Sequence, residues 1–268
     1  MQIFLYFILF AIFLLVIVSI VLYLFQDRVI FHPEKLPKDY QFTFSNEFEE
    51  INLNTDGGNI LNGLIFKSSN SKGLVIFYHN HSGNIEHWSR FALFINKLDY
   101  DVLLMDYRGF GKSTGKYSEQ SFLADSMLWY DFALDRYDED LISVYGRGIG
   151  ATFAAYVASL NNPKRLCLES PFHSINYVAR AHYPYLPIKI ISKYKFETDR
   201  YIVDVNCKIY IFHGMQNELV NYKNSSKLYE LSKGNMELFL IPDANHYNLI
   251  NNTSYLNKIV EICKKEKS

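Results

Sequence analysis

The sequence predicts an α/β protein with one N-terminal transmembrane helix, a mostly parallel central sheet covered by helices on both faces, and a small cap. The chain has 268 residues, of which 49% are apolar, enough for a sizeable core. After residue 25, short apolar runs alternate with amphipathic stretches, as expected for strands joined by helical crossovers. Before residue 25 the chain is almost entirely apolar, which is typical of a membrane span.

The composition excludes two classes of protein. A formal net charge of −1 excludes a nucleic-acid binder that depends on a basic excess. The same balance, with the high apolar fraction, excludes intrinsic disorder. The cysteines Cys167, Cys207 and Cys263 are odd in number and widely spaced, so they predict neither a disulfide framework nor a metal knuckle. They are typical of core thiols in a reducing compartment.

The N-terminal apolar run extends from Ile3 to Phe25, and Ser19 is its one clearly polar member. As a helix it would be about 34 Å long, enough to cross a hydrocarbon core of about 30 Å. A cleaved signal peptide is the alternative, but such peptides have a basic start and a shorter apolar region. No Ala-x-Ala cleavage site follows the run. We therefore expect an uncleaved single-pass anchor in the lipid bilayer.

The anchor divides the chain and suggests its orientation. Arg28, Lys35 and Lys38 follow the anchor and no Lys or Arg precedes it, so the positive-inside rule favours the large domain on the cytoplasmic side. The change of composition gives three predicted segments: an anchor at 3–25, a juxtamembrane segment at 26–47 and a globular domain at 48–268.

The elements of the globular domain follow in order. Phe48 to Asn54 and Ile60 to Phe66 flank Asp56-Gly57-Gly58 and predict a hairpin at one edge of the sheet. Apolar runs then predict buried strands at Leu74–Tyr78, Val102–Asp106, Ile142–Tyr145, Leu166–Leu168, Lys208–His213 and Glu237–Ile241. Helical spacing predicts helices at Glu86–Leu98, Ser118–Tyr137, Ala151–Leu160, Lys223–Leu231 and Tyr247–Lys264. The stretch at about 175–201 breaks the alternation and predicts the cap.

The segment from Val144 to Ala151 has the form of a catalytic motif. It reads Val-Tyr-Gly-Arg-Gly-Ile-Gly-Ala, so a strand ends in small residues and a helix begins at once. In α/β-hydrolases this is the nucleophile elbow, G-x-S-x-G, whose glycines let the strand and helix approach closely around a sharp turn.

Other segments resemble the same superfamily in the same chain order, and some are similar to its single-pass, membrane-anchored subgroup. Residues 77–84 resemble the oxyanion loop, residues 212–220 the turn that bears the acid, and residues 244–246 the pair that bears the histidine. The remaining segments that resemble this family are 26–33, 106–113, 169–172 and 183–187. The resemblance covers about residues 26–265 and implies the α/β-hydrolase fold, a serine hydrolase or peptidase ancestry and no cofactor.

The resemblance also assigns the site. It places the nucleophile at Gly148, the acid at Asn217, the base at His246, and the oxyanion-hole positions at His81 and Ile149. Glycine has no side chain to form an acyl-enzyme, and losing the serine of a hydrolase triad costs about 10⁶-fold in kcat. An amide in place of the acid costs about 10⁴-fold because it favours the wrong histidine tautomer. The sequence therefore predicts a degenerate triad, typical of a pseudoenzyme.

Two further substitutions affect the predicted site. Asn80 stands in the oxyanion loop where glycine is expected, and Asn245 replaces the glycine before the histidine. We expect the Asn80 side chain to close half of the oxyanion hole, because it enters space that glycine leaves open. Glycine at position 148 has a structural benefit, since it relieves the strained elbow backbone.

Several residues could replace the missing groups. Glu218 is a candidate acid beside Asn217, but its side chain should point elsewhere. Ser82, Ser170 and Cys167 are candidate nucleophiles, with ordinary loop or core positions as the alternative. His246 itself is either a relic that hydrogen-bonds in a polar pocket or a functional group.

Three other motifs receive weaker support. Gly146-x-Gly148-x-x-Ala151, with Glu169 as the acid, fits a dinucleotide fingerprint, although the preceding strands do not suit that fold. The spacing of His79, His81 and His87 fits no standard zinc site, so we expect no metal and interpret them as solvated or loop histidines. Gly111-Lys112-Ser113 lacks the earlier glycine of a P-loop.

Two function classes follow. The first is a non-catalytic, membrane-anchored binding or scaffolding protein, for which a small acyl or lipid-like ligand is the expected partner and nucleic acid is not. The second is an active hydrolase of ester, thioester or amide substrates that uses a non-standard nucleophile. Fold alone does not decide between them.

Overall fold

The structure is a computed structural model that describes residues 1–231 and 233–264. Residues 265–268, which the predicted domain includes, lie outside the described part. The strands of the central sheet are β1 (Phe48–Asn54), β2 (Ile60–Phe66), β3 (Leu74–Tyr78), β4 (Asp101–Met105), β5 (Ile142–Arg147), β6 (Arg165–Glu169), β7 (Lys208–Gly214) and β8 (Met236–Ile241). The helices are α1 (Gln2–Ile30), α2 (Ile85–Asn96), α3 (Glu119–Leu134), α4 (Gly150–Leu160), α5 (Ile175–His182), α6 (Ile188–Ile191), α7 (Thr198–Ile202), α8 (Lys223–Tyr229) and α9 (Thr253–Lys264).

The eight strands lie in the order β8-β7-β6-β5-β3-β4-β2-β1. Strands β3 to β8 are parallel to one another, β2 pairs antiparallel with β4, and β1 completes the antiparallel hairpin at one edge. This arrangement confirms the predicted fold class. It also brings the carboxyl ends of β3, β5, β6 and β7 to one edge of the sheet, where ligands bind in open α/β sheets.

Helices cover both faces of the sheet, which explains why its central strands are apolar throughout. Leu103 faces one core with Phe122 of α3 and Phe153 of α4. Its neighbour Leu104 faces the other core with Phe91 of α2. Alternate residues of one strand thus bury on opposite faces, as the pleat requires.

The predicted helix at Tyr247–Lys264 was wrong at its start. A single helical turn at Leu249–Asn251 comes first, and α9 begins at Thr253. The side chain of Asn252 accepts hydrogen bonds from the backbone N–H groups of Ser254 and Tyr255. Asparagine bonded in this way starts a new helix instead of continuing the previous turn.

Helix α1 is, among the described residues, the one helix long and apolar enough to cross a membrane. Its mean hydropathy reaches 3.2, and almost all of its apolar side chains are exposed. Ser19 donates to the carbonyl oxygen of Leu15 at 2.8 Å, so its hydroxyl is satisfied within the helix. The helix extends five residues past Phe25, the end of the predicted apolar run.

The last turn of α1 is attached to the globular domain. Gln26 donates to the carbonyl oxygen of Ile191 at 3.0 Å, and Asp27 accepts from the Tyr194 hydroxyl at 3.0 Å. Phe31 is buried beside the rings of Phe122 and Tyr194. The helix end is therefore part of the domain's tertiary structure.

The chain that follows α1 continues along the predicted oxyanion loop. His32 and Pro33 pair in parallel with Ser82 and Gly83. The backbone N–H of His32 donates to the carbonyl oxygen of His81 at 2.9 Å. The chain that leaves α1 thus helps to position the loop that carries Asn80 and His81.

We expect deletion of residues 1–25 to leave a soluble domain with one cooperative urea transition. That deletion keeps the contacts of Gln26, Asp27 and Phe31 with the domain. Deletion of residues 1–31 removes Phe31 from the core, so the transition midpoint should be lower. Circular dichroism during urea unfolding measures both. Aggregation of the shorter deletion without a cooperative transition would contradict the expectation.

Candidate active site

Gly148 occupies the sharp turn between β5 and α4. Its φ is +56°, a left-handed conformation that glycine adopts without strain. A Cβ atom at Gly150 would lie 2.1 Å from the carbonyl oxygen of Tyr78, and one at Gly146 would lie 2.6 Å from Ala151 Cα. The flanking glycines are therefore required for the close approach of strand and helix.

The Asn80 side chain fills the space beside Gly148. A Cβ atom at position 148 would lie 2.2 Å from Asn80 Oδ1. That oxygen accepts hydrogen bonds from the backbone N–H of His81 at 2.8 Å and of Ile149 at 3.4 Å. These N–H groups are the predicted oxyanion-hole donors. The carboxamide oxygen of Asn80 thus occupies the position that the sequence predicts for a substrate oxyanion.

His246 lies between two side-chain amides. Asn217 Nδ2 is 3.2 Å from His246 Nδ1, and Asn80 Nδ2 is 3.3 Å from His246 Nε2. The backbone N–H of Val220 donates to Asn217 Oδ1 at 2.9 Å, which directs the Asn217 amide nitrogen toward the ring. The donors on Asn80 Oδ1 direct its amide nitrogen toward the ring in the same way.

This arrangement disfavours a charged histidine. A neutral imidazole offers one acceptor nitrogen and an imidazolium offers none, yet two amide N–H donors face the ring of His246. Burial lowers the pKa of His246 to about 4, and the positive charge of Arg147 acts in the same direction. A hydrolytic base must become imidazolium during the reaction, so this environment opposes that role.

A buried ion pair supports the elbow. Arg147 Nη1 lies 2.9 Å from Glu169 Oε1, and both side chains are almost completely buried. Glu169 also accepts from the hydroxyls of Tyr145 and Tyr255. Arg147 donates to the carbonyl oxygen of His246 at 3.0 Å, which connects the loop that carries His246 to the elbow. Sequence reasoning missed Arg147, although a charged residue between two glycines at the end of a predicted buried strand was a usable signal.

Two adjoining cavities reach the site. One, of about 180 Å³, has an apolar wall that includes Ile30, Phe172, Ile175 and Val178. The other, of about 610 Å³, has a polar wall that includes Arg147 and His87. Both are lined by Asn80, His81, Leu219 and His246. A ligand with an apolar chain and a polar end would fit the pair.

Most of the candidate replacements for the missing nucleophile and acid lie in ordinary surface or core positions. Glu218 is exposed, whereas Cys167 is buried within β6. The Ser170 hydroxyl accepts from Asn217 Nδ2 at 3.4 Å, so the amide of Asn217 lies between this serine and His246. Ser82 shares the lining of the larger cavity with His246.

The competing motifs are explained by other contacts. Glu169, the candidate ribose-binding acid, forms an ion pair with Arg147 and accepts hydrogen bonds from two tyrosine hydroxyls. His79 lies in the loop after β3, as expected for a loop histidine, but it is not solvated, because its ring is fully buried with Nε2 3.6 Å from Asp106 Oδ1. Among the described residues no group of three His, Cys, Asp or Glu side chains is placed to hold a metal ion.

We expect acid to destabilise the fold between about pH 6.5 and pH 4. Burial lowers the pKa values of His81, His213 and His246 to about 4, from 6.5 when unfolded. The unfolded chain therefore binds more protons in that interval, so stability is fully present above it and falls as pH decreases. Urea midpoints of the domain without residues 1–25, measured across this range, test the slope.

His213 provides a matched variant for that experiment. Its Nδ1 lies 2.7 Å from Ser225 Oγ and its Nε2 lies 2.7 Å from the carbonyl oxygen of Val220, which suits a neutral ring. His213→Gln should reduce by about one the number of protons taken up on unfolding in this interval, so stability should fall less steeply as pH decreases. Equal slopes for the variant and the wild type would show that His213 is not a source of the effect.

Comparisons with known proteins agree with this architecture. The family model described as serine aminopeptidase, S33, matches residues 69–197. An uncharacterized protein of Mycobacterium tuberculosis is 26% identical over 225 residues, which cover 82% of this chain and 80% of that protein. The lysophosphatidylserine lipase ABHD12 of Danio rerio is 27% identical over 187 residues, 62% of this chain and 48% of the lipase.

A solved structure has a similar fold. The Pyrococcus furiosus esterase Pf2001 superposes with a TM-score of 0.71 at 24% identity, covering 87% of this chain and 98% of the esterase. The sheet order, the elbow and the matched family model agree with one another. The chain has the α/β-hydrolase fold, and its sequence is similar to proteins of that superfamily.

Proposed function

We propose that this chain is a membrane-anchored, non-hydrolytic member of the superfamily that binds an acyl or lipid-like ligand. The observation that carries the proposal is the Asn80 carboxamide oxygen on the N–H groups of His81 and Ile149. A substrate carbonyl would need the same two donors to be polarised. With Gly148 at the elbow there is also no hydroxyl to attack that carbonyl.

The anchor is supported by the length and exposure of α1. The cytoplasmic orientation of the domain rests on the basic residues that follow the helix. Asn251-Asn252-Thr253 matches an N-glycosylation acceptor and lies at the surface, so it can report orientation. Translation of the full chain with microsomes should leave Asn251 unmodified, whereas glycosylation would place the domain on the lumenal side.

The ligand class follows from the adjoining cavities. Ile175 and Val178 provide an apolar wall suited to an acyl chain, while Arg147 and His87 border space suited to a polar end. The ABHD12 relative is named as a lipase of a lysophospholipid, which supports ligands of the same chemistry. Buried apolar area would supply most of the affinity for the chain.

Photocrosslinking tests the proposal on the full chain in lipid vesicles. A photoreactive, alkyne-tagged lysophospholipid should label the wild type, and Ile175→Asn should lose most of the labelling by placing an amide in the apolar wall. Ile60→Asn is the matched control, because Ile60 is exposed on β2, three strands away from β5 in the sheet. Equal labelling of both variants would contradict binding at this cavity.

An active hydrolase remains the second candidate, since Ser82 and His246 border the same cavity. In that case the full chain would release fatty acid from the lysophospholipid at an ordinary enzymatic rate, on the order of 1–10³ s⁻¹. Ser82→Ala and His246→Ala would each abolish the release. That result would replace the non-hydrolytic proposal.

A further inference from the structure

The cap is held against the end of α1 at a defined height along that helix. Gln26 donates to the carbonyl oxygen of Ile191 at 3.0 Å and accepts from the backbone N–H of Lys193 at 2.8 Å. The Lys193 ammonium lies 5.3 Å from the centre of the Tyr23 ring. These contacts fix α6 beside residues 23–27 of the long helix.

That level corresponds to the edge of a bilayer. The apolar run from Ile3 to Phe25 spans about 34 Å as a helix, slightly more than a hydrocarbon core of about 30 Å. If α1 crosses a bilayer, residues 23–27 leave the hydrocarbon and enter the headgroup region. Helix α6 must then lie at the same depth, because its end is hydrogen-bonded to Gln26.

The chemistry of the cap suits that position. Tyr183, Tyr185 and Ile190, here called the cap face, are 57%, 91% and 81% exposed. The segment 183–195 contains three lysines and no Asp or Glu. Exposed tyrosine and aliphatic side chains beside lysines are typical of protein surfaces that lie in a membrane interface. Lysines near such a surface also favour anionic headgroups.

We propose that the cap face inserts into the headgroup region of the bilayer that α1 spans, so that an acyl chain enters the apolar cavity from the membrane. Ile30, four residues after Gln26, lines that cavity together with Ile175 and Val178. The cavity therefore begins where the helix meets the cap. This inference rests on the proposed membrane span of α1 and adds a second contact with the same bilayer.

Tryptophan quenching by brominated lipid tests the insertion. The full chain carrying Ile190→Trp is placed in vesicles of phosphatidylcholine and phosphatidylserine, with bromine near the headgroup end of the acyl chains. We expect the emission added by the substitution to shift to shorter wavelength and to be mostly quenched. The wild type supplies the background, because its own Trp88 and Trp129 are buried in the domain.

Two matched variants make the result decisive. Leu24→Trp lies on the apolar run of α1 and should be quenched if α1 is in the bilayer. Leu160→Trp is exposed at the end of α4, about 15 Å along that helix from the elbow, and should not be quenched.

The possible results distinguish the insertion of the cap face from the membrane span of α1. Quenching of Leu24→Trp without quenching of Ile190→Trp overturns the insertion of the cap face and leaves the span intact. Absence of quenching at both positions removes the span itself. A wavelength shift at Ile190→Trp without quenching means that a protein covers the cap face, which also overturns the inference.

Discussion

The triple variant Asn80→Gly, Gly148→Ser and Asn217→Asp is expected to hydrolyse a short-chain activated ester, whereas Gly148→Ser alone is not. The serine supplies the nucleophile, the aspartate orients His246 and stabilises its charged form, and the glycine vacates the oxyanion hole. Loss of the serine alone costs a hydrolase triad about 10⁶-fold in kcat, so we expect a gain of at least about 10³-fold over the wild type.

The order of the substitutions follows from the contacts around Gly148. A serine Cβ would overlap Asn80 Oδ1, only 2.2 Å from the position it needs, and its backbone would keep a φ near +56°. A non-glycine residue in such a conformation costs about 1–3 kcal/mol. Gly148→Ser should therefore lower the urea midpoint of the domain, and Asn80→Gly should recover part of that loss by removing the overlap.

Labelling with a fluorophosphonate probe and ester hydrolysis measure the outcome. The double variant Gly148→Ser with Asn217→Asp should remain slow, because Asn80 still occupies the N–H groups of His81 and Ile149. Adding His246→Ala to the triple variant should return the rate to background. Ordinary turnover by the wild type, lost on His246→Ala, would instead require a nucleophile other than residue 148.

The sequence predicted the sheet well because local signals were strong. The hairpin strands β1 and β2 have the bounds expected from their alternation and from the turn at Asp56-Gly57-Gly58. The start of α9 was not predicted, because the choice between continuing and restarting a helix depends on which backbone N–H the Asn252 side chain meets. That choice is set by tertiary structure.

The sequence predicted which residues make up the candidate site but not the hydrogen bonds and ion pair between them. Motif order identified Gly148, Asn217 and His246, and the loop substitution suggested that Asn80 closes the oxyanion hole. The direction of the Asn80 amide depends on N–H groups that the folded chain brings together from the loop after β3 and from the elbow. The pairing of Arg147 with Glu169 depends on the register of β5 with β6, which no local pattern specifies.

Arg147→Met is expected to lower the free energy of unfolding by about 3–5 kcal/mol, the usual cost of leaving a buried charge without its partner. Glu169 is 1% exposed and would keep only its tyrosine donors, Tyr145 and Tyr255. Methionine fills similar space, so the loss would come from charge more than from volume. Urea unfolding of the domain without residues 1–25 measures the difference.

A double variant separates charge from packing. Arg147→Met with Glu169→Gln removes both charges and leaves a neutral amide for the two tyrosine hydroxyls, so it should be more stable than Arg147→Met alone. The positive charge of Arg147 also lowers the pKa of His246, so that pKa should rise in Arg147→Met when followed by NMR. If the double variant is as unstable as the single one, the bond from Arg147 to the carbonyl oxygen of His246 at 3.0 Å matters more than the ion pair. The elbow would then be held mainly by its hydrogen bond to the loop that carries His246.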